Sequence, residues 1–302
     1  PQKKIMKKIL FALFIFTYAL GFSQIDKLNS KEPLVKDPYF KKETNVAVQP
    51  GQKVRFIHSD LFERKPDMYG GNPFFTGNVQ FEHQGAMLTA DRVIFYEKEN
   101  FAKAIGNVLL VTSDGNRITS NEMEYDGNTQ RGIARGTVVL TDAKQTISTD
   151  VLYYDRVKNT AYFNSGGTIN DGRNTMWTQS ATYFIDSKTN EFTNNYTIDN
   201  AQYRVEGKNI KHYQNTNIAE FFGPTTIINK EKPSNYVYTE NGKYLMNEKQ
   251  VYLNKNSRIY YNGKILKGDK MFFNQLTGFG KAEGNVRLDD PKESRYIIGG
   301  YG

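Results

Sequence analysis

Three adjacent residues, His58, Ser59 and Asp60, have the side-chain types of a hydrolytic relay: a base, a nucleophile and an acid to orient the base. Their spacing argues against one. In an extended strand, successive side chains point to opposite faces, so Ser59 turns away from both partners. A polar strand end is the plainer reading. His83 and His212 stand far off in sequence, and neither has a second histidine at metal-ligand spacing. The chain has no cysteine, which excludes a disulfide scaffold, a thiol nucleophile and a thiolate zinc site. Asp60, Asp91, Asp150 and Asp269 recur at one place in a repeated pattern. Such a ladder could hold calcium, but no Gly-Asp-rich nonapeptide accompanies it. Turn capping, or hydrogen bonding of each aspartate to the next layer of the fold, accounts for it more simply.

The pattern that carries these aspartates sets the architecture. Windows beginning at an apolar residue read IHSDLF (57), LTADRVIFY (88), ITSNEMEYD (118), ISTDVLYYD (147), WTQSATYFI (177), VEGKNIKHY (205), LMNEKQVYL (245) and LKGDKMFFN (266). A polar residue stands three places after each apolar start. Five places after it, from the second window on, come Val93, Met123, Leu152, Thr182, Ile210, Gln250 and Met271, and seven places after it Phe95, Tyr125, Tyr154, Phe184, His212, Tyr252 and Phe273. The two columns are two residues apart, so they share one face of a strand. The windows start 31, 30, 29, 30, 28, 40 and 21 residues apart. A polar turn follows most of them, then small residues two apart (Ala102 and Ala104, Gly132 and Ala134), then a glycine-led strand such as GNVQF, GNVLLV or GNVRLD.

Each repeat of about 30 residues thus predicts about three short strands, and no window beyond the leader has a helical apolar period. Such units cannot bury a face alone and must stack. An elongated open jelly roll and a one-coil-per-repeat β-helix both fit. The stretch 187–200 departs most from the pattern, 229–243 reads as a longer loop, and 61–76 lengthens the first turn.

The whole chain of 302 residues has a net charge of +8. Four lysines, Lys3, Lys4, Lys7 and Lys8, precede an apolar run from Ile9 to Phe22, and Gly21 and Ser23 suit cleavage before Gln24. Residues 1–23 therefore read as a signal peptide, and 24–52 as a polar N-terminal segment holding three prolines. Without the leader lysines the excess falls to +4 with no dense basic cluster, which speaks against nucleic-acid binding. The repeated region runs over 53–290, and 291–302 reads as the start of a further strand.

The stretch Gly77–Tyr96, GNVxFEHxGAxLxADxxxxY, together with its ordered recurrence to about Asp290, resembles the OstA-like periplasmic lipopolysaccharide-transport proteins. That superfamily includes the bridge protein LptA and the periplasmic N-terminal domain of the outer-membrane lipopolysaccharide translocon. Within it the chain is similar to the larger OstA-like proteins of Bacteroidetes, although Ala90 stands where their first full window has a cysteine. The resemblance implies an all-β, open-ended jelly roll that holds the acyl chains of lipid A between its sheets. It also implies a non-enzymatic chain without cofactor. Its partners would be lipopolysaccharide and other Lpt-type envelope proteins, or a second copy joined end to end. Its place would be the periplasm, in association with the outer membrane.

The residues themselves leave two uses for the apolar columns. Val93, Phe95, Met123, Tyr125, Leu152, Tyr154, Phe184, Ile210, Tyr252 and Phe273 are either ordinary core between sheets or the lining of an apolar groove. Two rivals from other classes stand beside the lipid reading. One is a carbohydrate-binding or carbohydrate-active β-helix, which would converge acids on one face. The other is a structural surface repeat with outward aromatics. Candidate sheet edges are Val54–Ile57 and Tyr296–Ile298. N-terminal sequencing of the exported protein should begin near Gln24, and recovery of the Ile9–Phe22 run in the mature chain would contradict cleavage.

Overall fold

The computed structural model of the chain describes residues 53–302 except 275 and 278. The expected signal peptide 1–23 and polar segment 24–52 lie outside the described residues. The described chain forms one 21-stranded sheet. Strands β1 (Arg55–His58) and β2 (Leu61–Glu63) both pair with β3 (Phe74–His83). A meander follows: β4 (Ala86–Tyr96), β5 (Phe101–Val111), β6 (Arg117–Asp126), β7 (Arg131–Thr141) and β8 (Thr146–Asp155). Next, β9 (Thr160–Phe163) and β10 (Gly167–Asn170) are two halves of one crossing. The meander continues through β11 (Thr175–Phe184), β12 (Thr189–Asp199), β13 (Tyr203–Tyr213), β14 (Ile218–Asn229) and β15 (Tyr236–Leu245). Two more split crossings are β16 (Gln250–Lys255) with β17 (Ser257–Tyr261), and β18 (Lys264–Gly268) with β19 (Lys270–Asn274). The sheet ends with β20 (Gly280–Asp290) and β21 (Arg295–Tyr301). All its pairings are antiparallel and join successive crossings of the meander, as in β4–β5 and β13–β14. A coil-per-repeat helix would need parallel ladders. The fold is the elongated all-β jelly roll.

Each crossing bends once near its middle. On β5, Gly106 and Asn107 together oppose one residue of β6, so the ladder slips between Ile105 and Val108. Both take left-handed backbone, at φ 78° and 45°. Asp91 of β4 locks this corner from the other side. Asn107 Nδ2 donates to Asp91 Oδ2 at 2.9 Å, and a Cβ on Gly106 would sit 2.5 Å from that oxygen. The same device recurs where Asn78 donates to Asp60 at 2.9 Å and where Asn285 donates to Asp269 at 2.8 Å. At β8 the neighbouring Thr149 takes over, bonding Ser165 Oγ at 3.0 Å and the Gly166 carbonyl at 2.7 Å. Three of the four ladder aspartates therefore tie one layer to the next.

The corners divide every crossing into two arms. Arm one holds segments such as Ala86–Ala90 and Val108–Val111. Arm two holds Arg92–Tyr96 and Phe101–Ile105. The fold brings their inner faces together, as where Phe81 of arm one meets Phe95 of arm two at 5.3 Å between ring centroids.

Several boundaries differ from those the sequence suggests. A repeat is two long bent strands rather than three short ones, because a bulge breaks the apolar alternation without breaking the ladder. The stretch 187–200 is mostly β12, and only 230–235 of the presumed loop 229–243 lies between strands. Residues 61–76 hold β2, a 3-10 turn at Tyr69–Gly71 and the start of β3. Replacing Gly106 with Ala combines left-handed strain with the clash against Asp91. Chemical denaturation should show a loss of about 2 kcal/mol or more, and an unchanged midpoint would mean that the corner does not hold the arms.

Candidate functional site

The relay-like triplet makes no relay. His58 Nε2 lies 3.5 Å from Asp60 on an exposed edge, and Ser59 donates instead to the Leu61 carbonyl at 3.2 Å. Among the described residues no three His, Asp or Glu side chains are grouped to hold a metal.

The inner face is organised in rows that run across the strands. One row, on arm one, is aliphatic from strand to strand. It passes Leu88, Leu110, Ile118, Leu140, Ile147, Ile169 and Met176, then Ile198, Val205, Ile227, Val237, Ile259, Leu266, Leu288 and Ile297. Facing it on arm two, a second row alternates large and small side chains: Phe95, Ala102, Tyr125, Gly132, Tyr154, Ala161 and Tyr183. It continues through Asn190, His212, Ala219, Tyr244, Val251 and Phe273. Between that row and the corner, Val93, Met123, Leu152 and Ile210 occupy the same face, and all four are buried.

The burial of these rows changes along the roll. Ile118, Leu140, Ile147 and Ile169 are at most 1% exposed. Around Leu88, Met123 and Tyr125 the arms leave a cavity of only about 20 Å³, room for a water molecule. From β12 onward the same aliphatic row, starting with Ile198 and Val205, is half-buried, and at Ile297 it is 68% exposed. On arm two, Tyr244 and Val251 are half-buried and Phe273 is 38% exposed. The residue types hardly change along the row, so the difference lies in how closely the arms meet. A packed N-terminal part gives way, between β12 and β21, to a shallow apolar cleft toward the mouth, under which Phe192, Ile210, Phe221, Leu253 and Met271 near the corners stay buried.

Polar side chains close the mouth of the packed part, where the turns of the two arms meet. Arg156 donates to the carbonyls of His83, at 2.7 Å, and of Gln84, while His83 Nδ1 lies 2.8 Å from the Tyr125 hydroxyl. Asp142, whose side chain is 0% exposed, accepts from the Tyr183 hydroxyl and from Lys188 at 3.1 Å. Gln145 exchanges two bonds with Asn190, at 2.7 and 3.3 Å, and accepts a third from Gln214. Burial pushes the Asp142 carboxyl up. The bonds from Tyr183, the Lys144 N–H, Lys188 and the Gln145 N–H outweigh it and hold the group below the usual carboxylate range. Burial, then the Asp142 bond, drives the Tyr183 hydroxyl upward. Past this seam, arm-one turns bond along their own line instead. Asn200 donates to Asn174 at 3.2 Å, Lys230 to Asp199, and Lys232 to Asn262 at 2.6 Å.

Eight of the ten columns' candidates lie on this inner face. Val93, Phe95, Met123, Tyr125, Leu152, Tyr154 and Ile210 fall in the packed part or at its border, and Phe273 in the cleft. Phe184 and Tyr252 point the other way. Phe184 is 37% exposed, while its neighbour Tyr183 fills the row. Tyr252 shares the outer face with Phe272, at 5.0 Å between centroids, while Val251 and Leu253 turn inward. A slip of one residue exchanges the faces of a strand. The windows starting at 177 and 245 lie one residue and one hairpin later than the inward sets that end at Tyr183 and Tyr244. Starts at Met176 and Val237 restore spacings of 29, 29, 32 and 29, and the 40–21 irregularity was the available signal. Window 237 also recovers Glu240, which accepts from Asn256 at 2.8 Å as the other corner acids do from their asparagines. The inner residues absent from the candidates are Ala181, Tyr183, Gly242 and Tyr244, together with the whole aliphatic row of arm one.

The pattern of the OstA-like protein family matches residues 51–208, over half of the chain. The chain belongs to the OstA-like family. A second pattern, lipopolysaccharide-assembly, LptC-related, matches residues 178–294 of this OstA-like chain and so covers most of the cleft. The two patterns put it among the OstA- and LptC-like lipopolysaccharide-transport proteins, a non-catalytic group of the periplasm and outer membrane. No curated protein matches. One similar solved structure is LptH of Pseudomonas aeruginosa, described as the LptA-homologous periplasmic component of the lipopolysaccharide transport device. It is 12% identical, over 62% of this chain and 94% of that one, with a TM-score of 0.17. At that score the likeness carries no argument, and the fold rests on the strand ladders themselves.

His212 sits in the aromatic row with its Nδ1 unbonded. Burial holds its pKa below the ordinary imidazole value, against an opposing pull from Asp171. The folded chain thus keeps the ring neutral while the unfolded chain takes up the proton first. Stability should fall as pH drops through about 6.5. His212→Phe should flatten denaturation midpoints between about pH 7 and about pH 5, and an unchanged slope would assign the pH dependence elsewhere.

Proposed function

We propose that this OstA-like chain is a periplasmic lipopolysaccharide-binding transport or bridge protein that holds lipid A acyl chains between its two arms. The half-buried apolar rows facing each other from β12 to β21 carry this reading. An isolated apolar side chain on a surface is ordinary, but a contiguous patch marks a binding site. Each acyl methylene taken out of water contributes about 0.8 kcal/mol. A chain laid across the strands would pass a row residue about every 4.8 Å. Lys230, Lys232 and Lys264 line the same mouth and would suit the phosphates of a lipid headgroup by exchanging their present partners Asp199, Asn262 and Asp290. Val93, Phe95, Met123, Tyr125, Leu152, Tyr154 and Ile210 extend the lining wherever the arms part.

The bridge role draws on the edges. Among the described residues β1 and β2 pair with β3 alone and β21 with β20 alone, so each end presents an edge to which a strand could be added. Tyr296, Ile297 and Ile298 are exposed on that last strand. A second copy or another Lpt-type envelope protein would continue the sheet there. Residues 53–290 form the transport unit and 291–302 its joining strand, exported to the periplasm by cleavage of 1–23. Within the family, the larger OstA-like proteins of Bacteroidetes are the subclass whose Gly77–Tyr96 pattern this chain resembles. The carbohydrate-binding β-helix is disfavoured by the antiparallel ladders.

A photoreactive residue placed at Ile259, Leu266 or Phe273 in cells should capture lipopolysaccharide, whereas one at Phe184 or Tyr252 on the outer face should not. Folded, fully substituted protein that yields no adduct at the three inner positions would reduce the rows to imperfectly covered core.

A further inference from the structure

The roll is closed and open in different stretches with the same rows inside, and the boundary coincides with the end of the polar seam. Asp142, Gln145 and the His83–Gln84 turn reach across the mouth to Tyr183, Lys188, Asn190, Gln214 and Arg156. Beyond Asn174 the arm-one bonds described above run along the mouth rather than across it. The rows become half-buried there. Among the described residues the strand ladders join the arms only at the corners, and at the mouth each bond across uses a side chain, including those from Arg156 to the His83 and Gln84 carbonyls and from the Val54 N–H to Asn100. Every group in the seam also bonds water well, so parting it leaves no polar atom stranded in an apolar place.

We infer that this seam is a latch that sets the length of the lipid cleft: while it is closed, an amphiphile reaches the interior only beyond β12, and its release opens the packed stretch from β3 to β11. The inference rests on the reading of the inner face as an acyl-chain site, and it explains how one continuous lining can be filled at one end and available at the other. A headgroup cannot remain outside while its chains lie inside unless the mouth is parted at that point. With the latch shut, the lysine-bearing mouth of the C-terminal part is the entry.

The absence of native cysteine gives a clean background for thiol labelling. Ala134→Cys reports on the packed stretch, Ile259→Cys on the cleft, and Ala282→Cys on the separate buried cluster with Leu253 and Met271. In the otherwise unaltered chain, a thiol reagent should label Ile259→Cys quickly and the other two at least ~10-fold more slowly, a gap equivalent to ~1.4 kcal/mol of opening. Adding Asp142→Ala, Gln145→Ala and Asn190→Ala should accelerate labelling at 134 about tenfold and leave 282 unchanged, again ~1.4 kcal/mol. Lipopolysaccharide should then be captured by a photoreactive residue at Leu152, a position silent in the latched chain.

Labelling at 134 that does not change, or that is already as fast as at 259 with the seam intact, overturns the latch. If the triple variant unfolds, 134 and 282 accelerate together, and Tyr183→Phe, which removes a single hydroxyl bond, decides. Several-fold faster labelling at 134 alone supports the latch, and no change rejects it. Failure to capture lipid at Ile259 in any variant would defeat the proposed function, while the thiol rates would still report on the latch.

Discussion

A single sheet with one apolar face has nothing to pack against but itself, and here the solution is a corner in every strand. The corner depends on a pair of residues that accept left-handed backbone, such as Gly106 and Asn107, and on an acid of the preceding crossing that sits where a Cβ would otherwise be. Where the asparagine bonds an acid, as Asn78, Asn107, Asn256 and Asn285 do, the corner is tied to the crossing before it, and Thr149 makes the equivalent bond to the Gly166 carbonyl. Rows of inner side chains, the line of turns at each arm's end and the meeting of the arms all follow from this alignment. Were the corners staggered, aliphatic residues would not face each other from Leu88 to Ile297, and no continuous cleft could form.

The corner also explains what the sequence hides. The G-N-V strand and the polar residue three places after each apolar start are visible as a spacing of about 30 residues, and with them the layered all-β architecture. The bulge itself looks like a break, because two polar or small residues interrupt the alternation at the one place where the ladder runs on. Period two makes a strand's inward set sensitive to a shift of one residue. Tyr183 and Phe184 are both aromatic and adjacent, so composition cannot choose between them, whereas the even spacing can. The pairing of Asp142 with Tyr183 and Lys188 spans more than forty residues and follows no periodicity. Only the closure of the arms brings those groups together.

Buried polar groups in the seam run against the economy of an otherwise apolar interior. Their desolvation is offset where they find partners, as most do, while Gln214 Oε1 stays buried without one. Asp142 collects four donors, and Gln145 and Asn190 satisfy each other's amides. An apolar seam of the same size would hold the arms at least as tightly, since replacing a satisfied polar cluster with well-packed apolar groups is often neutral or stabilising. What a polar seam adds is reversibility in water. Leu or Phe at these turn positions would expose new apolar surface each time the arms parted, whereas Tyr183, Lys188 and Gln145 exchange one set of hydrogen bonds for another.

The gradient of burial along one row gives the molecule a direction. At the β3 end, Phe56 stacks on Phe75 at 4.6 Å and the interior is packed behind the seam. At the β21 end, the last strand is apolar and open, and the rows it completes are uncovered. A sheet extended at that edge by another strand would carry the rows forward without interruption, because their period is set by strand spacing and not by anything particular to this chain. An acyl chain lying across the strands would meet the same aliphatic and aromatic faces on both sides of the junction. Continuity of the lining and continuity of the sheet are then one geometric condition, met by the same edge strand.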